Sequence, residues 1–402
     1  MNVLLLMPRG LYILTRFAEA CRRHGFSLTI MMVPRPPSKR YLVSFVNDAY
    51  QTVEEFPVET DSAEALAPLL GAFDAVVPSG EFSVILGEQL SARLGLLHNN
   101  LERVEAYRNK YLMRKCFAEA GVNQPRLLAK FGSMAEVNDF DWSSVKFPVI
   151  AKPVDLTASF YVRLCDDVQS AKKVYQRIFK HSQSFAGGAF SAQGLLEEVA
   201  FGPEYSVECV VQDRRIVALF PTTKFVSPYP ACDEVGHLSG EHFPDERVAS
   251  QVKETVERIT RAWDVTSAVM HVEYKLSDGE VRVIEGACRI GGDMIPELVE
   301  LAHGVSLEEC LVLLRGKRDV RSALEKRSTE GGGYYYGIKF LFSENLTSPL
   351  PADVDVLRSV KYPEANAGTG GGFGAEARLG HLLVRSRSLS SIKSYLGELC
   401  AS

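Results

Sequence analysis

Within eleven residues, V-I-E-G-A-C-R-I-G-G-D (Val283 to Asp293), the chain carries a carboxylate at Glu285, a guanidinium at Arg289, two glycines and a second carboxylate at Asp293. The residues leading in read as a buried β-strand. Such a mixture handles charged ligands: carboxylates hold hard cations, and an arginine fork holds phosphate or carboxylate bidentately. The preceding V-M-H-V-E-Y-K-L-S-D-G-E-V-R supplies another carboxylate, Glu273, on the partner strand of a hairpin. A three-residue loop, Ser277-Asp-Gly279, pairs Glu273 with Val283 and sets Glu273 and Glu285 on one face, a diagonal step apart. A two-residue Asp278-Gly279 loop sets them on opposite faces. We expect the first. Two carboxylates near an arginine suit a magnesium ion carrying a polyphosphate, since phosphate and water complete its shell. His271-Val-Glu273 also matches the H-x-E of zinc deaminases, but the P-C-x-x-C that accompanies it is absent.

The elements that must position these groups fit a chain of 402 residues, enough for two or three packed domains. Apolar residues make up 46% and charged residues 24%, the balance of a soluble globular protein. A net charge of −5 argues against a nucleic-acid partner. No run approaches the roughly 18 apolar residues of a membrane span, and M-N-V-L-L-L-M lacks the basic start of a signal peptide. The eight cysteines include no C-x-x-C pair, which predicts reduced thiols and a cytoplasmic protein. The sequon at Asn345-Leu-Thr347 is silent there.

Val3 to Met7, Phe26 to Val33 and Asp74 to Pro78 read as strands, with helices over Leu11 to His24, closed by Gly25, and over Glu81 to Leu94. This β-α-β opening predicts a Rossmann-like α/β domain over 1–100. A helix over Leu101 to Ala120, capped by Asn99 or Asn100, opens the next unit. Strands follow at 147–153, 195–199, 204–211, 216–220, 269–276 and 280–284. Helix faces are marked by Val168, Ala171, Val174 and Ile178, and by Val248, Val252, Val256, Ile259 and Trp263. Ser306-Leu-Glu-Glu309 is a capping box for a helix that stops near Gly316. A smaller unit holds a strand at 337–342, the loop G-T-G-G-G-F-G at 368–374 and a last helix after Ser390. That loop reads as a mobile lid, because no lysine follows it as a phosphate loop of the Walker type requires.

The order Lys110, Lys152-Pro153, Glu197-Glu-Val-Ala-Phe-Gly-Pro-Glu204, Glu273 and Glu285-x-x-x-Arg289 resembles the ATP-grasp superfamily of ATP-dependent carboxylate–amine ligases, and within it the L-amino acid (dipeptide) ligases. The resemblance implies α/β and α+β architecture: a pre-ATP-grasp domain over 1–100, an ATP-grasp domain over 101–320 and a C-terminal lid subdomain over 321–402. It implies ATP and Mg2+, or Mn2+ in its place, as cofactors. Lys110 and Lys152 match the nucleotide-phosphate lysines. Glu197, Glu198 and Val199 match the hinge at the adenine edge, and Glu204 matches the ribose carboxylate. Glu273 and Glu285 match the metal carboxylates, and Arg289 the arginine that steadies an acyl phosphate. Lys224 sits where related ligases place a basic residue. Glu234-Val-Gly-His237 resembles the E-x-G-H stretch bordering the amino-acid pocket.

Two departures stand out. The usual E-x-N is Glu285-Gly-Ala287, which favours the L-amino acid ligase branch. The phosphate loop, Val154 to Tyr161, has no glycine, so Thr157 and Ser159 or backbone amides must cradle phosphate on a stiffer loop. The implied reaction phosphorylates a carboxylate with ATP and lets an amine displace the phosphate, on small-molecule substrates; a homodimer is compatible with it. The alternatives are a biotin-carboxylase-like or purine-pathway enzyme using bicarbonate, and a nucleotide-binding module without turnover. Asp293 has two readings, a ligand for a substrate ammonium group and an N-cap for the helix starting near Ile295.

Overall fold

The computed structural model describes residues 1–6, 11–32, 53–57, 62–156, 159–180, 191–228, 233–325, 333–342, 349–362 and 378–400. The loop at 368–374, the sequon at Asn345 and Thr157 lie outside these residues.

The opening elements are β1 (Asn2–Leu6), α1 (Leu11–Arg23), β2 (Ser27–Met32), β3 (Val53–Pro57), α2 (Ala63–Leu66), β4 (Ala75–Pro78) and α3 (Val84–Arg93). The strands form a parallel sheet in the order β3-β2-β1-β4. Leu4, Leu5 and Leu6 are all buried, since helices cover both faces of such a sheet and no alternation survives. The helix expected from Glu81 starts three residues later, which leaves Glu81 in the loop beyond β4.

The helix expected over 101–120 is broken. A 3-10 turn covers Val104–Tyr107, and α4 (Lys110–Glu119) starts afresh behind Asn109, whose side chain accepts from the amides of Tyr111 and Leu112 at 3.1 Å. Asn99 caps nothing: it is buried against Glu88 and accepts from the amides of Thr266 and Ser267. The break makes Lys110 the first residue of α4. There follow β5 (Leu127–Phe131), α5 (Met134–Asp139), β6 (Val149–Pro153), β7 (Arg163–Cys165), α6 (Val168–Lys180) and β8 (Gly194–Glu198). Their antiparallel sheet, β5-β8-β6-β7, receives the Ala171, Val174 and Ile178 face of α6.

The third sheet is antiparallel and eight-stranded. It contains β9 (Glu204–Gln212), β10 (Arg215–Val226), β11 (Glu234–Ser239), α7 (Glu246–Ala262) beside it, β12 (Ala268–Ser277) and β13 (Glu280–Ala287). After α8 (Ile295–His303), α9 (Leu307–Arg315) and α10 (Arg321–Leu324) come β14 (Tyr335–Leu341), β15 (Val354–Lys361), β16 (Gly380–Ser386) and α11 (Leu389–Leu396). The strand order is β13-β12-β9-β10-β11-β14-β16-β15. The C-terminal strands therefore extend the central sheet, because β14 pairs with β11. The apolar face of α7 packs Val252, Val256 and Ile259 with Trp263 under the β9–β12–β13 strands. Ser306 caps α9 through the Glu309 amide as its capping box predicts, while the Glu309 carboxylate goes instead to Arg23 and His24.

Candidate active site

The β12–β13 hairpin turns through two residues, not three. Ser277 pairs with Glu280, and Asp278 and Gly279 both have positive φ, 51° and 78°, as a type I′ turn needs. That register alone would put the two glutamates on opposite faces. The expected pairing of Glu273 with Val283 is thus wrong; Tyr274 takes Val283. Beyond it the register shifts by one, so that Glu273 stands directly opposite Glu285 and Ile284 is the extra residue. Arg114 secures the bulge by donating to the Ile284 carbonyl at 2.6 Å and the Val283 carbonyl at 3.4 Å. The shared face is real, reached through a bulge rather than a longer loop.

Both carboxylates already hold cations of the chain. Lys110 Nζ lies 2.9 Å from Glu285 Oε1 and donates to the Leu156 carbonyl at 2.6 Å. Lys224 Nζ lies 2.9 Å from Glu273, 3.1 Å from Glu204 and 2.6 Å from Glu234. Burial opposes its charge, but the three carboxylates hold the ammonium well above its usual pKa. Lys224 sits across the sheet from Glu204 on β9 and from His237 on β11, so strand register alone assembles this group.

Lys152, near the end of β6, contacts Glu197 of neighbouring β8 at 2.7 Å. Burial pushes the Lys152 ammonium down to about 8. Glu197 resists the opposite effect of its own burial, because Arg114 grips it with two bonds of 2.8 and 3.1 Å and Lys152 adds its charge; its carboxyl falls to about 2. Glu198 faces outward onto Arg126, and Val199 is buried. Ser159 lines the cavity at φ 54°, and Tyr161 follows at 59°. The glycine-free loop thus uses the left-handed backbone that glycine would supply more cheaply.

Arg289 donates to Glu81 Oε2 at 2.5 Å and to the Ile290 carbonyl at 2.9 Å. Glu81 comes from the loop after β4, with Arg108 3.4 Å from its other oxygen, so the first sheet contributes to the site. Arg378 bonds both oxygens of Asp293 at 2.9 and 3.1 Å, touches Glu234 at 3.4 Å and lies 3.5 Å from the Phe340 ring centre. This overturns the N-cap reading: Met294, at φ 65°, is the cap residue of α8, while the Asp293 carboxylate is taken by Arg378. Burial works against ionisation of Asp293, but Arg378 holds it well below the usual carboxylate range. His237 is fully buried, its Nε2 3.8 Å from an oxygen of both Glu234 and Asp293.

Among the described residues, every candidate site residue named from the sequence except Val199 lines one cavity of about 350 Å3. Sequence reasoning missed Glu81, Arg114, Glu208 and Arg378. A signal existed for two of them. Arg114 is one helical turn beyond Lys110 on the same face, and Glu208 interrupts the apolar run V-E-C-V-V. Nothing local marks Glu81 or Arg378.

A model described as the ATP-grasp domain matches residues 145–297. Over these residues the chain is an ATP-grasp domain. This ATP-grasp ligase is 25% identical over 336 residues to an alanine–anticapsin ligase of Bacillus subtilis, an alignment covering 76% of this chain and 68% of that protein. Its fold matches an L-amino acid ligase from Bacillus licheniformis with a TM-score of 0.73 and 18% identity, over 99% of this chain and 96% of that one. It also matches a phosphoribosylglycinamide synthetase from Anaerococcus prevotii with a TM-score of 0.68 and 16% identity, over 99% and 97%. Enzymes of this family use ATP. Among the described residues no helix is long and apolar enough to cross a membrane.

Proposed function

We propose that this ATP-grasp ligase joins an amino acid to an amine through an acyl phosphate, giving a dipeptide-like amide. A carboxylate oxygen attacks the γ-phosphorus of ATP, and ADP leaves with the electrons of the broken P–O bond. The amine nitrogen then attacks the acyl carbon, phosphate departs, and the nitrogen loses a proton. Such transfers depend on positioning and charge compensation. The observation that carries the reading is the layout of the cavity. One wall brings together Lys110, Lys152, the Glu273–Glu285 pair, Arg289 and the acidic Glu234–His237–Asp293 group, with Lys224 joining Glu273 to Glu234.

In this reading Lys110 and Lys152 take the phosphates, the 197–199 backbone the adenine edge and Glu204 the ribose. Lys224 fixes Glu204, Glu234 and Glu273 relative to one another. Glu234, His237 and Asp293 take the amino group of a substrate, and Arg289 the acyl phosphate. The carboxylate pair fits magnesium: both donors are hard oxygens, they face each other across adjacent strands, and each already attracts a lysine ammonium. Bound magnesium would offset phosphate charge there. The division at 1–100, 101–320 and 321–402 is proposed with these roles. The alanine–anticapsin ligase relative supports an amino-acid substrate.

The test is phosphate release from ATP against a panel of paired amino acids. Release that requires both partners, with an amide product by mass spectrometry, is the expected result. Release that requires bicarbonate instead, or nucleotide binding without release, overturns the reading.

A further inference from the structure

Glu208 is a carboxylate with no exposure in the middle of the central sheet. A charge there is costly, and a well-packed apolar residue usually does as well or better for stability. Its two oxygens are used in different directions. Oε1 accepts from Nδ1 of His271, its cross-strand neighbour on β12, and Oε2 accepts from the Gly291 amide at 3.0 Å. The opposite nitrogen of His271, Nε2, donates to Glu273 Oε1 at 2.9 Å. The chain Glu273–His271–Glu208–Gly291 therefore ties one carboxylate of the hairpin to the loop that carries Arg289. A Cβ at Gly291 would lie 2.8 Å from Glu208 Oε1 and 2.9 Å from His271 Nδ1, so this loop can approach the brace only as glycine.

We propose that Glu208 and His271 are positioning residues for the ligation, setting Glu273 against the nucleotide-bound metal and holding the Arg289 loop in register with it. The inference rests on the assignment of Glu273 and Glu285 to magnesium. Partners that orient a metal ligand from behind typically matter by about 10–100-fold in metal affinity or activity.

The two nitrogens of His271 can be tested separately. An asparagine amide replaces Nδ1, toward Glu208, and a glutamine amide replaces Nε2, toward Glu273. For wild type, His271→Asn and His271→Gln, the affinity for ADP is measured by calorimetry with Mg2+ and with EDTA, together with the melting temperature. We expect His271→Gln to keep the gain in affinity that Mg2+ confers within about threefold, and His271→Asn to lose about tenfold of it, with EDTA values unchanged for both. Equal losses in the two variants, or losses that follow melting temperature and appear equally in EDTA, overturn the proposal. Glu208→Gln, of the same shape, is the second arm. It should lower the Mg2+ gain and kcat while leaving metal-free affinity intact, and an equal fall in both affinities overturns the proposal. Because ADP binding needs no turnover, the brace is tested even if the amino-acid panel shows no ligation, and ligation with an unaltered Mg2+ gain in every variant removes the brace alone.

Discussion

Glu273 and Glu285 oppose one another across β12 and β13 because Ile284 is bulged out of the ladder. The tight Asp278-Gly279 turn imposes one register, and the bulge changes it before the carboxylates are reached. Arg114, bonded to the Ile284 carbonyl and to Glu197, links this bulge to the Lys152 end of the cavity.

Glu285→Gln should lower ligation by about 100-fold or more at saturating Mg2+, since a metal carboxylate supplies several kcal/mol of charge stabilisation. The fold should survive, because glutamine still accepts from Lys110 and the side chain is 29% exposed. Phosphate-release kinetics and a melting curve check both parts. Normal turnover would remove Glu285 from the metal site.

Lys152→Met should weaken ATP by about 10–100-fold, the worth of a charge-assisted contact. Amino-acid Michaelis constants should change little. Glu197 keeps both bonds from Arg114, so its buried carboxylate stays compensated. Nucleotide titration decides it, and an affinity within twofold of wild type contradicts the role.

Asp293→Asn should raise the Michaelis constant of one amino acid about tenfold and leave that of ATP unchanged, as expected for a lost charged contact. It should also lower the melting temperature. Arg378 is buried and, among the described residues, would keep only Glu234 as an ionic partner. Unchanged kinetics with lowered stability would leave Asp293 as an anchor for Arg378 alone.

Stability should depend on pH through His271. Burial alone would lower this imidazole, but Glu208 and Glu273 on either side push it from 6.5 up to about 10. The folded protein therefore holds a proton that the unfolded chain releases. Its stabilisation is complete below pH 6.5 and is lost as pH rises toward 10. The gap in melting temperature between wild type and His271→Gln should narrow over that window. A constant gap would show that the folded state does not retain the proton.

Much of this protein is local in origin. The apolar faces read at Val168–Ile178 and Val248–Trp263 fall on α6 and α7, and Gly25, Ser306 and Gly316 bound α1 and α9 to within a residue or two. The ordered motifs single out Lys110, Lys152, Glu204, Glu273, Glu285 and Arg289 from the sequence, and the fold brings all six to the wall of one cavity. The break before α4 was also written locally, in Asn109, but the apolar pattern running through it concealed it. What required the tertiary structure is everything that depends on partners distant in sequence. The Glu273–Glu285 register hangs on a bulge gripped by Arg114 from another element. Asp293 gives up its cap because Arg378 arrives 85 residues later, and Arg289 meets Glu81 across 208 residues. Burial lowers the Lys152 ammonium and the Glu208 and Glu273 carboxylates raise His271, and both effects belong to the packed chain, because these groups lose water and meet their neighbours only when the sheets close around them.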